Sequence, residues 1–185
     1  MSLDYAILGF LNYHPFTGYD LKKALDASVR HFWPADQTQI YRTLIDLTEK
    51  GLAEMEVVDQ TNRPDRKVYR ITTAGRAALR QWLIAPHPAK GNRNALMIQI
   101  FFAGQLGDEE VLPIFEHIAE QLRAGIAVYD AISQQNDAYQ EYSDSPREFY
   151  FWMLTLEAGK VSAKANLELV ESIIQRIRNK EIPQR

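Results

Sequence analysis

Phe32-Trp33-Pro34-Ala35-Asp36-Gln37-Thr38-Gln39-Ile40-Tyr41-Arg42-Thr43-Leu44-Ile45-Asp46-Leu47-Thr48-Glu49-Lys50-Gly51-Leu52 reads as a short helix with a hard start and a hard stop. Pro34 cannot continue a preceding helix, and Asp36 or Thr38 can cap the next one. Gly51 stands where a left-handed C-terminal residue is wanted. Ile40, Leu44 and Leu47 follow the i, i+4, i+7 spacing of one buried stripe. Thr38, Arg42 and Glu49 then point away from that stripe, with Gln39, Ile45 and Asp46 nearer its flanks. A polar face led by one arginine suits a helix that reads a major groove. Taken alone, it suits any amphipathic surface helix better. The neighbouring sequence shifts that balance.

Upstream, Leu3 to Tyr13 is a nearly all-apolar helix, broken by His14-Pro15-Phe16. Thr17-Gly18-Tyr19-Asp20 resembles a capping box and opens a second helix to about Val29, with Leu21, Ala24, Leu25 and Val29 inward. Trp33 is expected to anchor the second and third helices in the core. Downstream of Gly51 the period changes from helix to strand. Leu52 to Val58 and Lys67 to Ile71 alternate as half-buried strands around a polar turn at Asp59 to Asp65. A helix over Ala74 to Ile84 follows, with Leu79, Trp82 and Leu83 inward. Three helices and then a β-hairpin predict a winged helix-turn-helix, its third helix in the major groove and its wing on the phosphates.

Ala85 to Asn92, with Pro86, Pro88 and Gly91, reads as a linker between domains at 1–85 and 92–185. Everything beyond it reads as helix. Arg93 to Ala103 places Leu96, Ile100 and Phe101 inward. A helix opened by Asp108-Glu109-Glu110 carries Val111, Phe115, Ile118, Leu122, Ile126, Tyr129 and Ile132, with Pro113 disturbing its first turn. A last helix opened by Pro146 carries Phe149, Trp152, Leu156, Val161, Ala165, Leu169, Ile173 and Ile177. Two such helices must pack on each other or on a second subunit. The first helix, apolar beyond what a three-helix domain should bury, is expected to help. The fold class expected is mostly α, with a small β-hairpin wing: an N-terminal winged helix-turn-helix plus a C-terminal α-helical dimerisation domain.

The formal net charge of −3 hides an asymmetry. Residues 1–84 carry 11 basic and 10 acidic side chains, against 10 and 14 in residues 85–185. Within 60–80, Arg63, Arg66, Lys67, Arg70, Arg76 and Arg80 face only Asp65, and such a local cluster governs phosphate binding. There is no membrane-spanning run or signal-peptide pattern. The absence of cysteine removes disulfides and thiolate chemistry and fits a cytoplasmic protein. His14, His31, His87 and His117 lack metal-ligand spacing, and neither a phosphate-cradling glycine loop nor a nucleophile elbow occurs. Neither an enzyme nor a cofactor is expected.

Tyr5-Ala6-Ile7-Leu8-Gly9, Gly18-Tyr19-Asp20-Leu21, Phe32-Trp33-Pro34, Ile40-Tyr41-Arg42-Thr43-Leu44, Glu49-Lys50-Gly51-Leu52 and Tyr69-Arg70-Ile71-Thr72-Thr73-Ala74-Gly75 together resemble the PadR family of transcriptional regulators, in order and spacing. The C-terminal part is similar, in pattern and length, to that family's virulence-activator-like helical domain. The resemblance implies a cytoplasmic homodimer that binds double-stranded DNA at a pseudo-palindromic operator. It also implies a repressor relieved by a small-molecule effector. It places Tyr41 on the DNA backbone, Gln39 and Arg42 at reading positions, and Arg63, Arg66 and Lys67 in a basic wing.

Thr38 on the reading helix and Lys22 and Lys23 on the second helix complete the candidate DNA-binding set, the two lysines reading equally well as solvated surface charges. Trp82, Phe101, Phe102, Tyr150 and Trp152 form the candidate pocket for a small aromatic effector, set against the plainer reading that aromatics at helical spacing fill a core. The competing functions are a winged-helix protein-interaction module and an activator without a small-molecule effector.

Overall fold

A computed structural model describes residues 2–30, 32–58, 66–87, 94–134 and 145–183. These fall into two compact units, the first holding four helices and a sheet and the second the remaining helices.

The first unit runs α1 (Ser2–Tyr13), β1 (Phe16–Thr17), α2 (Gly18–Ser28), α3 (Gln37–Glu49), β2 (Ala53–Val58), β3 (Arg66–Ile71) and α4 (Thr73–Ile84). Its sheet is antiparallel in the order β1-β3-β2, with Phe16 opposite Tyr69 and Ala53 opposite Ile71. The expected hairpin is therefore the larger part of a three-stranded sheet. Its extra strand, Phe16–Thr17, spans the expected helix break at Phe16 and the expected helix start at Thr17. Ile7, Leu8, Leu21, Ile40, Leu44 and Leu47 are fully buried in one core that Phe16, Tyr69, Ile71 and Leu79 close. Each such aliphatic contributes on the order of 1.5–3 kcal/mol by leaving water.

Local hydrogen bonds fix the element ends. The Thr17 hydroxyl accepts from the Asp20 N–H at 3.1 Å and donates to the Asp20 carboxylate at 2.7 Å. The reciprocal contact is thus side chain to side chain rather than a full capping box. At α4, the Thr72 hydroxyl accepts from the Gly75 N–H at 3.0 Å and donates to the Gly51 carbonyl at 2.7 Å. The Thr72 N–H donates to the Leu52 carbonyl at 3.1 Å. A Cβ on Gly75 would lie 2.0 Å from that carbonyl oxygen, so glycine alone lets α4 start against the strand.

Two side chains and two elements differ from expectation. Trp33 is 40% exposed rather than a core anchor, because the core between α2 and α3 is already closed by Leu21, Leu25 and Ile40. Leu83 is 64% exposed, since the buried face of α4 runs through Gly75 and Leu79. β2 is buried only at Ala53, so its alternation is not realised: Met55, Val57 and Val58 are all exposed on an edge strand that outruns the core. α1 keeps no large apolar residue exposed: Ile7, Leu8, Phe10 and Leu11 are buried in its own core, with Leu3, Tyr5, Ala6 and Tyr13 partly buried against it.

The second unit comprises α5 (Ala95–Phe102) with a 3₁₀ turn at Ala103–Gln105, α6 (Asp108–Gln134) and α7 (Pro146–Arg178). Val111, Phe115 and Ala119 of α6 pack with Val170, Ile174 and Ile177 of α7, and Leu96 and Ile100 of α5 close one end. Gly159 lies against the Tyr129 ring, where a Cβ would come within 2.9 Å. Phe101, expected inward, is 80% exposed, because Leu96, Ile100 and Ala103 already supply the buried face of α5. The buried positions of α7 include Leu156, Val170, Ile174 and Ile177, whereas Val161 and Leu169 of the expected stripe are exposed. That helix is apolar on two sides, and one continuous stripe merged them. α6 runs on through Pro113, which sits early enough to leave the helix intact.

Candidate nucleic-acid interface

α3 is the rigid part of the site. The Asp36 carboxylate accepts from the Gln39 N–H at 2.8 Å, and the Gln39 side-chain oxygen accepts from the Asp36 N–H at 3.2 Å, a complete capping box. Of the two candidate caps, Asp36 is used. At the other end Gly51 takes a φ of 68°, and the Leu52 N–H returns to the Leu47 carbonyl. With Ile40, Leu44 and Leu47 at 0% exposure, the opposite face has a defined rotation.

That face presents Gln37, Thr38, Tyr41, Arg42 and Ile45, which line one open cleft of about 530 Å³. Thr38, Tyr41 and Arg42 are all exposed, and Arg42 has no ion-pair partner among the described residues. Gln39 differs from the other predicted readers, because its side-chain oxygen already accepts from the Asp36 N–H, leaving one lone pair and the amide N–H donors. Ile45 was not predicted as a site residue. It is 53% exposed and shares the cleft, and its i+4 relation to Tyr41 could have flagged it.

Tyr41 is held from behind. Its ring lies over Gly18, the first residue of α2, where a Cβ would meet the ring carbons at 2.5 and 2.6 Å. Burial, and then the neighbouring Tyr41, push the phenol of Tyr69 above its ordinary value, so Tyr69 stays protonated beneath the site.

The basic residues divide. Arg66 donates to Asp20 at 3.1 Å, which ties β3 to the start of α2, while Lys67 beside it is exposed. Arg70 reaches Glu56 at 3.5 Å across the hairpin. Lys22 pairs with Asp26, and Lys23 sits 5.7 Å over the Tyr19 ring. Arg63, with the rest of the predicted turn, lies outside the described residues.

The five aromatics of the candidate effector pocket are divided between the two units. Trp82 belongs to the first unit, stacked on Tyr5 at 4.8 Å and on His87 at 4.3 Å. In the second unit Phe101 and Phe102 meet edge to face at 4.9 Å, Tyr150 does the same with Phe151 at 6.1 Å, and Trp152 is half-buried. Of the five, Phe102 lines an apolar cleft of about 280 Å³ within the second unit, with Ile98, Leu106, Val111, Ile114 and Phe115. No group of metal-ligating side chains occurs among the described residues, and none of their helices is long and apolar enough to cross a membrane.

Comparison with known proteins places this geometry. Residues 7–81 match the transcriptional regulator PadR-like family, and residues 92–178 match the virulence activator alpha C-terminal domain. The probable transcriptional regulator Rv1176c of Mycobacterium tuberculosis is 38% identical over 96 residues, which is 50% of this chain and 51% of that protein. The match therefore spans about half the length of that relative. The negative transcriptional regulator PadR of Bacillus subtilis is 29% identical over 126 residues, 68% of this chain and 69% of that one. Among solved structures, Bacillus subtilis PadR in complex with operator DNA superposes with a TM-score of 0.80 at 26% identity, over 96% of this chain and 99% of that one. The same regulator with p-coumaric acid gives 0.78 over the same shares, at the same identity. The Vibrio cholerae virulence activator AphA gives 0.74, again at 26% identity over 96% and 99%.

Proposed function

Because the chain belongs to the PadR-like family of transcriptional regulators, we propose that it is a cytoplasmic, homodimeric repressor that binds a pseudo-palindromic operator and is released by a small aromatic effector. Residues 1–85 form the DNA-binding domain and residues 92–185 the dimerisation domain. The observation that carries this reading is the outer face of α3, with Thr38, Tyr41 and Arg42 exposed on a helix whose inner face is fully buried.

The chemistry follows from that face. Arg42 carries a forked donor set that matches guanine O6 and N7 in the major groove. The Tyr41 hydroxyl, held by Gly18, donates to a backbone phosphate, which sets the helix's register without reading sequence. Lys67 and, four positions earlier in sequence, Arg63 add phosphate contacts from the wing; Arg66, paired with Asp20, adds a weaker one. Lys22 and Lys23 extend the positive edge along α2.

Pairing of subunits rests on α7, whose Tyr150, Phe151, Leu154, Val161 and Leu169 are exposed on the side away from its own core. Two-fold pairing calls for an operator with half-sites about 34 Å apart, one turn of the duplex, or a near multiple of it. The apolar cleft beside Phe102 is the place for an effector of the class named in the p-coumaric acid complex.

The test is binding to the DNA upstream of the protein's own gene, followed by gel shift across a salt series. Specific binding with log K falling linearly against log salt is expected. Equal affinity for every duplex of the same length would overturn operator recognition and favour a protein-interaction module.

A further inference from the structure

Resting on the reading of α3 as the groove-facing helix, we infer that Ile45 is a specificity-determining residue that recognises the 5-methyl group of a thymine. Its exposure is not a sign of slack packing, because Leu44 beside it and Leu47 beyond it are both at 0%. Ile45 lies three residues after Arg42, four after Tyr41 and seven after Thr38, so it stands on the same outer face and lines the same cleft.

An isoleucine there has no donor or acceptor, and it cannot read a base by hydrogen bonding. The major groove offers one apolar feature, the thymine methyl, which a short branched side chain can cover. The surroundings favour a base over a protein partner: Thr38, Arg42, Asp46 and Glu49 leave Ile45 an apolar spot among polar side chains rather than part of a broad apolar patch. Seven residues of helix rise about 10.5 Å, close to three steps of about 3.4 Å along a strand. Ile45 therefore specifies an A·T pair about three positions from the pair next to Thr38, once in each half-site.

The test uses the full chain. The operator is first obtained by selection from random duplexes, and each thymine of a half-site is then replaced in turn by deoxyuridine, which pairs identically but lacks the methyl. Wild-type protein and Ile45→Ala are compared on every duplex. One position is expected at which uracil weakens wild-type binding about fourfold, and about fifteenfold when both half-sites are changed. Ile45→Ala should bind the thymine operator more weakly by the same factor and be blind to the uracil. Wild-type binding that ignores uracil at every position overturns the inference and leaves DNA recognition standing. So does a uracil effect that survives unchanged in Ile45→Ala, since that is how a merely structural isoleucine behaves. Failure to enrich any sequence overturns operator recognition and this inference together.

Discussion

The two units solve the problem of burial differently. In the first, α1 to α4 and the sheet converge on one core in which Ile7, Leu8, Leu21, Ile40, Leu44 and Leu47 are fully enclosed. In the second, the buried cluster is essentially a seam of Val111, Phe115 and Ala119 against Val170, Ile174 and Ile177. Around that seam α5 and α7 leave Ile98, Phe101, Phe102, Tyr150, Phe151 and Val161 more than half exposed. A domain that closes its own core can present a rigid polar face. The first unit leaves Tyr19, Phe32, Ile45, Leu83 and Ile84 more than half exposed as well, but these are spread over several elements, whereas Tyr150, Phe151 and Val161 share one face of α7 that a second surface could cover.

Separating the units should have the largest effect. A chain ending at Pro86 should unfold cooperatively and sediment as a monomer. It should also bind the operator about a hundredfold or more weaker than the full chain, because avidity is lost. If the fragment binds as tightly as the full chain, the division of labour is wrong.

Cavities should sharpen the contrast. Phe115→Ala should cost the helical unit about 3–5 kcal/mol and weaken subunit pairing, while Leu44→Ala should cost the first unit about 2–5 kcal/mol. Calorimetry should find each loss in a separate transition. One common transition shifted alike by both variants would show a single cooperative core.

Substitutions on the outer face of α3 should spare stability and change binding. Arg42→Ala should lose about 1–3 kcal/mol of specific affinity and flatten discrimination at one base pair, read from binding to single-base operator variants. Gly18→Ala should force the Tyr41 ring from its seat and weaken operator and random DNA alike. The expected loss is about 1.5–3 kcal/mol if the hydroxyl meets a phosphate. Tyr41→Phe should reproduce that loss, and an unaffected Tyr41→Phe would remove the hydroxyl from the interface.

The smallest effects belong to the wing. Lys67→Ala should lower the log–log salt slope by about one. Arg66→Ala should lower it less, since Asp20 already offers Arg66 a counter-charge at 3.1 Å. Equal slopes for the two variants would mean that the Asp20 pair is broken in the complex.

What could be read from sequence was local. The buried stripe of α3, the Asp36 cap and Gly51 are set by residues within a few positions of one another, so spacing alone finds them. β1 was missed because two residues have no period. Phe16 and Thr17 become a strand only by pairing with Tyr69 and Val68, some fifty positions away. Trp33, Leu83 and Phe101 were turned inward because periodicity reports spacing but not which neighbours have already filled the core. On α7 two apolar faces interleave, and a single stripe drawn through both joined Leu156 and Ile177 to exposed Val161 and Leu169. At the site, the position of Gln39 marks it as a reader, and its hydrogen bond to the Asp36 N–H is a contact that spacing alone does not give. Ile45 escapes a reading guided by charge because it is an apolar residue on the polar face.

Two α3 faces on one operator require two chains bound to it together. The most direct measurement is a sedimentation titration of full-length protein into a fluorescent duplex carrying the selected operator, run beside a random duplex at physiological salt. Two chains per operator are expected, with an affinity about a thousandfold or more above that for random DNA. One chain per duplex, or equal affinity for the two duplexes, would contradict that expectation.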